Sequence, residues 1–170
     1  MSKKLPNVHA ILAVDSNNGL AKDGKIPWKS KKDLQFFKTQ TTTNVVIMGS
    51  KTLLSLPKSE PLPNRMNIVV TNNYNKYYKI YESFQNICFV NSEQVIDLIH
   101  NSYKNKIIFV IGGNQIYNLL LPYCSTVWLT KIKSNYKCDL IFNYDLSILK
   151  KDIIYTDQEL EIMRLDLEIY

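Results

Sequence analysis

Three local patterns in the 170 residues are of types and spacings that could do chemistry. The first is Asp33. Within Ser30–Gln40 it sits beside Leu34 and four residues before Phe37, so on a helix the three share one side. A carboxylate held among apolar groups is partly desolvated, its pKa rises, and it becomes suited to proton transfer. The plainer reading is a solvated acid at a helix start. The second pattern is Ile111-Gly112-Gly113-Asn114, an apolar run entering two glycines and then a helix. Free N–H groups and the positive end of a helix dipole meet there, and glycine lets phosphates approach the backbone. Gly49-Ser50-Lys51-Thr52 repeats the design after Val45–Met48. Two such junctions suggest one ligand with a diphosphate spine; two tight turns are the alternative. The third is Leu62-Pro63-Asn64-Arg65, a turn that delivers a guanidinium just before a strand. A guanidinium holds a carboxylate bidentately, although a surface arginine is the default.

Other chemistries lack their motifs. No G-x-G-x-x-G or G-x-S-x-G occurs, and Gly49-Ser50-Lys51-Thr52 lacks the adjacent Gly-Lys pair of a P-loop. His9 and His100 have no Cys or Asp at ligand spacing, so no metal site is expected. Cys88, Cys124 and Cys138 are an odd number at unrelated spacings, which fits a reducing, cytoplasmic compartment better than a disulfide framework.

These groups need elements to position them. Apolar, β-branched runs at Val8–Val14, Val45–Met48, Ile68–Thr71, Ile87–Val90, Ile107–Ile111 and Thr126–Ile132 read as strands buried on both faces. Arg164–Tyr170 alternates strictly and reads as an antiparallel strand with one wet face, and residues 152–155 could add another. Helical stretches lie at Ser30–Gln40, at Ser92–Asn101 with Ser92 as N-cap, and at Asn114–Leu121 before Pro122. The order implies a single α/β domain over residues 1–170. It has a central, mostly parallel sheet of about eight strands, an antiparallel C-terminal edge strand and about four flanking helices. Residues 1–6 read as a flexible tail without the apolar core of a signal peptide. Asn72–Asn86, with four tyrosines among Asn and Lys, reads as a surface loop packing its own rings.

Composition narrows the partners. Hydrophobic residues at 45% and charged residues at 21% exclude a disordered chain, and no apolar run approaches the roughly 20 residues of a membrane span. Residues 1–151 carry +11 and residues 152–170 carry −5, which together give the net charge of +6. Such a field raises the local concentration of anionic ligands. Nineteen of the 21 cations are Lys, accompanied by 17 Asn, a drift across the whole chain that weakens the case for nucleic acid.

Taken together the residues resemble the dihydrofolate reductase family. The resemblance rests on Ala10–Asp15 with Gly19-Leu20-Ala21, Ile26-Pro27-Trp28, Asp33–Phe37, Val46–Thr52, Pro61–Asn67, Ile111–Tyr117 and Leu129-Thr130, in order along nearly the whole chain. It implies hydride transfer from NADPH to C6 of 7,8-dihydrofolate, inhibition by antifolates such as methotrexate, and a monomer without nucleic-acid or membrane partners. By resemblance the catalytic set is Asp33, Trp28 with an ordered water, and Thr130 orienting the carboxylate. Ile11, Leu12, Leu34, Phe37, Leu56, Leu62, Ile111 and Tyr117 would bind substrate, and Arg65 would hold its glutamate α-carboxylate. Ala13, Gly19 and Leu20 would meet the nicotinamide. Gly49, Ser50, Lys51, Thr52, Ile111, Gly112, Gly113, Asn114, Gln115, Ile116 and Tyr117 would take the diphosphate region, and Thr71, Asn72, Asn91 and Ser92 the adenosine end. The Gly112–Gly113 peptide would be cis.

There are departures from the family pattern. Ala21 replaces a usual glycine in the mobile loop and Leu53 a usual tryptophan, while Asn72 and Ser50 replace frequent basic residues near the cofactor's 2′-phosphate. Two rival readings stay open: another pterin- or riboflavin-pathway NADPH reductase of the same fold, and a non-catalytic RNA-binding domain. Asp33 paired with Thr130 argues against the riboflavin-pathway enzyme, and the lack of an RNP or KH pattern against the RNA-binding domain.

Overall fold

The computed structural model describes residues 3–146 and 149–167. Ten strands and five helices alternate along them. They are β1 (Leu5–Val14), β2 (Gly19–Ala21), α1 (Lys31–Thr41), β3 (Val45–Gly49), α2 (Ser50–Ser55), β4 (Met66–Val70), α3 (Tyr74–Tyr77), β5 (Ile87–Val90), α4 (Ser92–Asn101), β6 (Ile108–Gly112), α5 (Asn114–Leu120), β7 (Cys124–Ile132), β8 (Leu140–Ile141), β9 (Lys151–Thr156) and β10 (Leu160–Asp166). Eight strands form one sheet in the order β5-β4-β3-β6-β1-β7-β10-β9. The first six run parallel to their neighbours, and β10 runs antiparallel to both β7 and β9. β2 and β8 pair separately.

The continuous apolar runs have partners on both faces, as buried parallel strands must. On one face Val8, Ala10, Leu12, Val14, Val45 and Ile47 pack with Val95 and Ile99 of α4 and Ile116 and Leu120 of α5. On the other, Ile11, Val46, Met48 and Phe109 meet Leu53 of α2 and Phe36 and Phe37 of α1. A third cluster, Trp28, Ile132, Leu160 and Ile162, closes the antiparallel end. Among the described residues no helix is long and apolar enough to cross a membrane.

Several boundaries differ from the sequence expectation. Leu5 and Pro6 are not tail but strand: Leu5 pairs with Cys124, and the Pro6 carbonyl accepts hydrogen bonds from His9 and Ser125. The C-terminal strand begins at Leu160, its expected part at 168–170 lies outside the described residues, and β9 forms the outer edge beside it. All six residues of β9 are exposed, Ile153, Ile154 and Tyr155 among them. Asn91, not Ser92, caps α4. Its side chain accepts from the Gln94 N–H while Gln94 returns a bond to the Asn91 N–H, a complete capping box. The tyrosine-rich segment folds one helical turn. Tyr74 and Tyr78 stack outside it, and Tyr77 and Tyr81 are buried against Phe89.

Candidate active site

Ser30 caps α1, its hydroxyl accepting from the Asp33 N–H. The inward stripe of that helix is Asp33, Phe36, Phe37 and Gln40, the i, i+3, i+4, i+7 spacing of one face. Leu34 does not share it. One residue on, about 100° around the helix, it is 67% exposed, which corrects the expected grouping of Leu34 with Asp33. Phe36 and Phe37 pack with Ile11, Leu56, Leu62, Ile111 and Trp128, and hold Asp33 over the sheet. The Leu12 side chain points into the opposite core and does not join them.

The Asp33 carboxyl has its pKa raised above the usual carboxylate range. Burial is the dominant cause, opposed by the neighbouring Thr130 hydroxyl and Trp28 N–H, whose dipoles favour the charged form. Thr130 is buried on β7 between Ala13 of β1 and Ile162 of β10, so strand register fixes its hydroxyl. The Trp28 indole is buried as well, and its Nε1–H has no hydrogen-bond partner within direct bonding distance. A buried donor without an acceptor is rare and marks a place where a small polar molecule gains a bond. Tyr136 flanks that indole at 5.7 Å between ring centroids.

The two strand-to-helix junctions lie side by side. A Cβ on Gly49 would come within 3.2 Å of Ile116, and one on Gly113 would lie 3.8 Å from the Thr52 hydroxyl. The Gly112–Gly113 peptide is cis. Gly112 has φ +107°, and a Cβ there would press at 3.0–3.1 Å on the Tyr117 ring. Tyr117 is buried and donates its hydroxyl to the Ile11 carbonyl at 2.9 Å. Burial and the nearby Asp33 charge push its phenol far above the ordinary value.

Arg65 is 7% exposed rather than a surface group. Its Nε–H donates to the Pro63 carbonyl and its Nη1–H to the Thr41 hydroxyl, both at 2.9 Å. Thr41 is fully buried and its hydroxyl donates to the Phe37 carbonyl at 2.8 Å, which ties the guanidinium to α1. The Asn67 side chain bonds Leu62 N–H and C=O and the Arg65 carbonyl, so a buried amide shapes the turn before β4. Nothing in the sequence singled out Thr41, whose partner Arg65 stands 24 residues on.

Of the other expected residues, Ala13 and Leu20 are half-buried and Gly19 buried at the end of β1 and in β2. Ser50 and Thr52 are half-buried at the start of α2, and Lys51 is exposed. Asn114 is half-buried, Gln115 exposed and Ile116 buried at the start of α5. Thr71, Asn72, Asn91 and Ser92 gather beyond the ends of β4 and β5, where the Thr71 N–H bonds the Val90 carbonyl. Thr71 and Asn91 already spend side-chain oxygens on the Asn73 and Gln94 N–H groups. A 760 Å³ depression between Asn44, Glu60, Phe84, Asn86 and Lys106 lies at the opposite, N-terminal ends of β3 and β4. Among the described residues no group of three or more His, Cys, Asp or Glu could hold a metal ion.

Residues 7–159 match the family model described as dihydrofolate reductase. The chain is 35% identical over 158 residues to a dihydrofolate reductase of Schistosoma mansoni, covering 85% of this chain and 82% of that one. It is 38% identical over 133 residues to that of Bacillus subtilis (strain 168), covering 78% and 73%. It is also 36% identical over 138 residues to a bifunctional dihydrofolate reductase-thymidylate synthase of Paramecium tetraurelia; the match takes 80% of this chain but only 28% of that longer protein. The solved dihydrofolate reductase from Enterococcus faecalis, complexed with NADP(H) and RAB-propyl, superposes with a TM-score of 0.75 at 26% identity and covers 98% of both chains.

Proposed function

The chain belongs to the dihydrofolate reductase family, and from that premise we propose that it reduces 7,8-dihydrofolate to 5,6,7,8-tetrahydrofolate with NADPH. The observation that carries the reading is the desolvated Asp33 carboxyl beside the unpartnered Trp28 N–H and the Thr130 hydroxyl. The residues at the two glycine junctions suit a dinucleotide: Gly49, Thr52, Gly113 and Asn114 present backbone and hydroxyl groups with no side chain over Gly113. NADPH, when bound, supplies the hydride.

The chain's own groups do the rest. Asp33 accepts from the pterin's amino and ring N–H groups, while the Ile11 and Ile111 carbonyls accept from its far edge. A water held by the Trp28 N–H and Asp33 relays a proton to N5, which makes C6 a better hydride acceptor. Thr130 holds the carboxylate in the orientation that both tasks need. Phe37, Leu56 and Leu62 wall the ring and benzoyl group, with Leu34 at the open rim. Arg65 offers its Nη2 donors to the glutamate carboxylate, since Nε and Nη1 are engaged. The protein works as a monomer in the cytoplasm, in keeping with three free thiols.

The test is loss of NADPH absorbance with dihydrofolate, with and without methotrexate. Turnover abolished by stoichiometric methotrexate supports the reading; no turnover with saturating dihydrofolate and NADPH defeats it.

A further inference from the structure

Asp15 is a buried carboxylate that none of the steps above uses. It has no exposed surface. Its Oδ1 accepts from the Asn17 N–H at 2.9 Å and the Gly19 N–H at 2.8 Å, and its Oδ2 from the Tyr136 N–H at 3.0 Å. The Cys138 thiol also bonds to it. Burial alone would raise its pKa. The N–H groups of Tyr136, Gly19 and Asn17 and the thiol outweigh burial and hold it below the ordinary value. Burial, with the Asp15 contact second, pushes the Cys138 thiol up to about 11.

The carboxylate therefore joins two loops that touch opposite ends of the reaction. Toward one side it fixes Gly19, directly before Leu20, which the proposed function sets against the nicotinamide. Toward the other it fixes the backbone of Tyr136, whose ring lies on the Trp28 indole at 5.7 Å. The packing admits no slack: a Cβ on Gly19 would fall 2.4 Å from Cys138 Cβ and 2.8 Å from Asp15 Oδ1. Further bonds stitch the same loops, Ser16 N–H to the Ser134 carbonyl at 3.1 Å and Phe142 N–H to the Asn18 carbonyl at 2.8 Å. Asp15 differs from these because one side chain accepts from both loops at once.

We infer that Asp15 is a positioning residue that sets Leu20 and, through Tyr136, the Trp28 indole in common register, so that the hydride and proton ends of the site are held together. The inference rests on the proposed reduction. Asp15→Asn keeps the shape but turns an NH2 group toward the Tyr136 N–H or the Gly19 N–H, where two donors oppose. Expected is a fall in the single-turnover hydride-transfer rate of about ten-fold, the scale on which small misplacements of reacting groups act. The KM for dihydrofolate stays at the wild-type value, because Arg65 and Phe37 are untouched.

A spectroscopic arm needs no substrate. In a Trp128→Phe background Trp28 is the single tryptophan of the chain. Adding Asp15→Asn is expected to shift its emission to the red as Tyr136 leaves the indole. Tyr136→Leu, which removes the ring and leaves the carboxylate, should reproduce both the red shift and the slower hydride transfer, and serves if Asp15→Asn fails to fold. A lowered melting temperature with wild-type emission and wild-type hydride transfer in either variant would overturn the inference. A wild-type protein inert toward dihydrofolate would defeat the proposed function, while the emission arm would still decide whether Asp15 holds Trp28.

Discussion

The Nη1–H of Arg65 donates to the hydroxyl of Thr41 at 2.9 Å, a bond between two buried side chains 24 residues apart. It turns a flexible cation into a fixed donor before any carboxylate arrives. Burial also lowers the guanidinium pKa. Arg65→Leu is therefore expected to raise the KM for dihydrofolate by about ten-fold or more, since a charge-assisted hydrogen bond contributes about 1.5–3 kcal/mol. Because the tail does not react, kcat should hold. Thr41→Val should move KM the same way by less. Steady-state kinetics check both; a fall in kcat at constant KM contradicts the assignment.

Asp33→Asn should slow hydride transfer at neutral pH by about two orders of magnitude or more. The deficit should narrow in acid, where solvent protonates N5 without help. Stability should move the other way. The folded pKa of Asp33 is raised, so the folded state holds the proton more tightly than the unfolded chain. Wild-type stability then falls as pH rises from the ordinary carboxylate pKa through the raised folded value, and stays lower above it. The Asn variant is expected to melt higher than wild type at neutral pH and to lose that advantage in acid. Stopped-flow traces and melting curves across pH measure the two halves.

His9 gives a pH dependence of the opposite sense. The Trp128 indole can only donate, so His9 Nδ1 must accept its 3.1 Å bond, and Nε2–H must donate to the Pro6 carbonyl. The ring is neutral in the fold. Its pKa lies below 6.5, chiefly through burial and in part through Arg164, against the Pro6 bond that raises it. Stability is complete above pH 6.5 and is lost as pH falls from there through the folded value. Melting temperature against pH should show this decline in wild type and flatten in His9→Asn, whose amide can both accept and donate.

The two adjacent glycines should answer differently to alanine. Gly112 has φ +107° and a would-be Cβ at 3.0 Å from the Tyr117 ring, so Gly112→Ala is expected to cost about 1–3 kcal/mol in stability. A Cβ on Gly113 meets only the Thr52 hydroxyl, at an ordinary 3.8 Å. Gly113→Ala should fold normally and weaken NADPH binding instead. Chemical denaturation and cofactor titration distinguish the two outcomes.

The preference for NADPH over NADH should be modest and should shrink as salt rises. In the proposed cofactor site Asn72 and Ser50 would offer neutral groups where a guanidinium would hold a 2′-phosphate, and the exposed Lys51 would be shared with the diphosphate. What remains is the field of a +6 chain, screened over about 10 Å at 0.1 M salt. Comparing kcat/KM for both cofactors at low and high ionic strength tests this. A salt-insensitive preference would point to a buried basic partner.

The strands were legible because apolar period survives in a single sequence. Every buried run found its place in the sheet, in order, and β9 appeared where residues 152–155 suggested it. Leu5 and Pro6 were not, because Pro6 reads as a breaker; the register slips between Leu5 and His9, which admits it. Asn91 and Ser92 are both good caps, and the choice fell to Gln94 three residues after Asn91. Asp33 could be read from its helix, but not the way Leu34 turns, since the groove it borders is built by later segments. Thr41 and Asp15 look like ordinary polar residues; one partner of each, Arg65 and Tyr136, stands 24 and 121 residues away.

The outer edge of β9 has a consequence for handling the protein. No strand among the described residues pairs with it, and its middle is Ile153-Ile154-Tyr155, each more than 40% exposed. Backbone donors and acceptors beside β-branched side chains are a template for another chain. The only charges in the strand, Lys151 and Asp152, sit together at one end. Sheet growth from that edge is the expected route to precipitation in concentrated stocks. Ile154→Lys should keep the protein dispersed there.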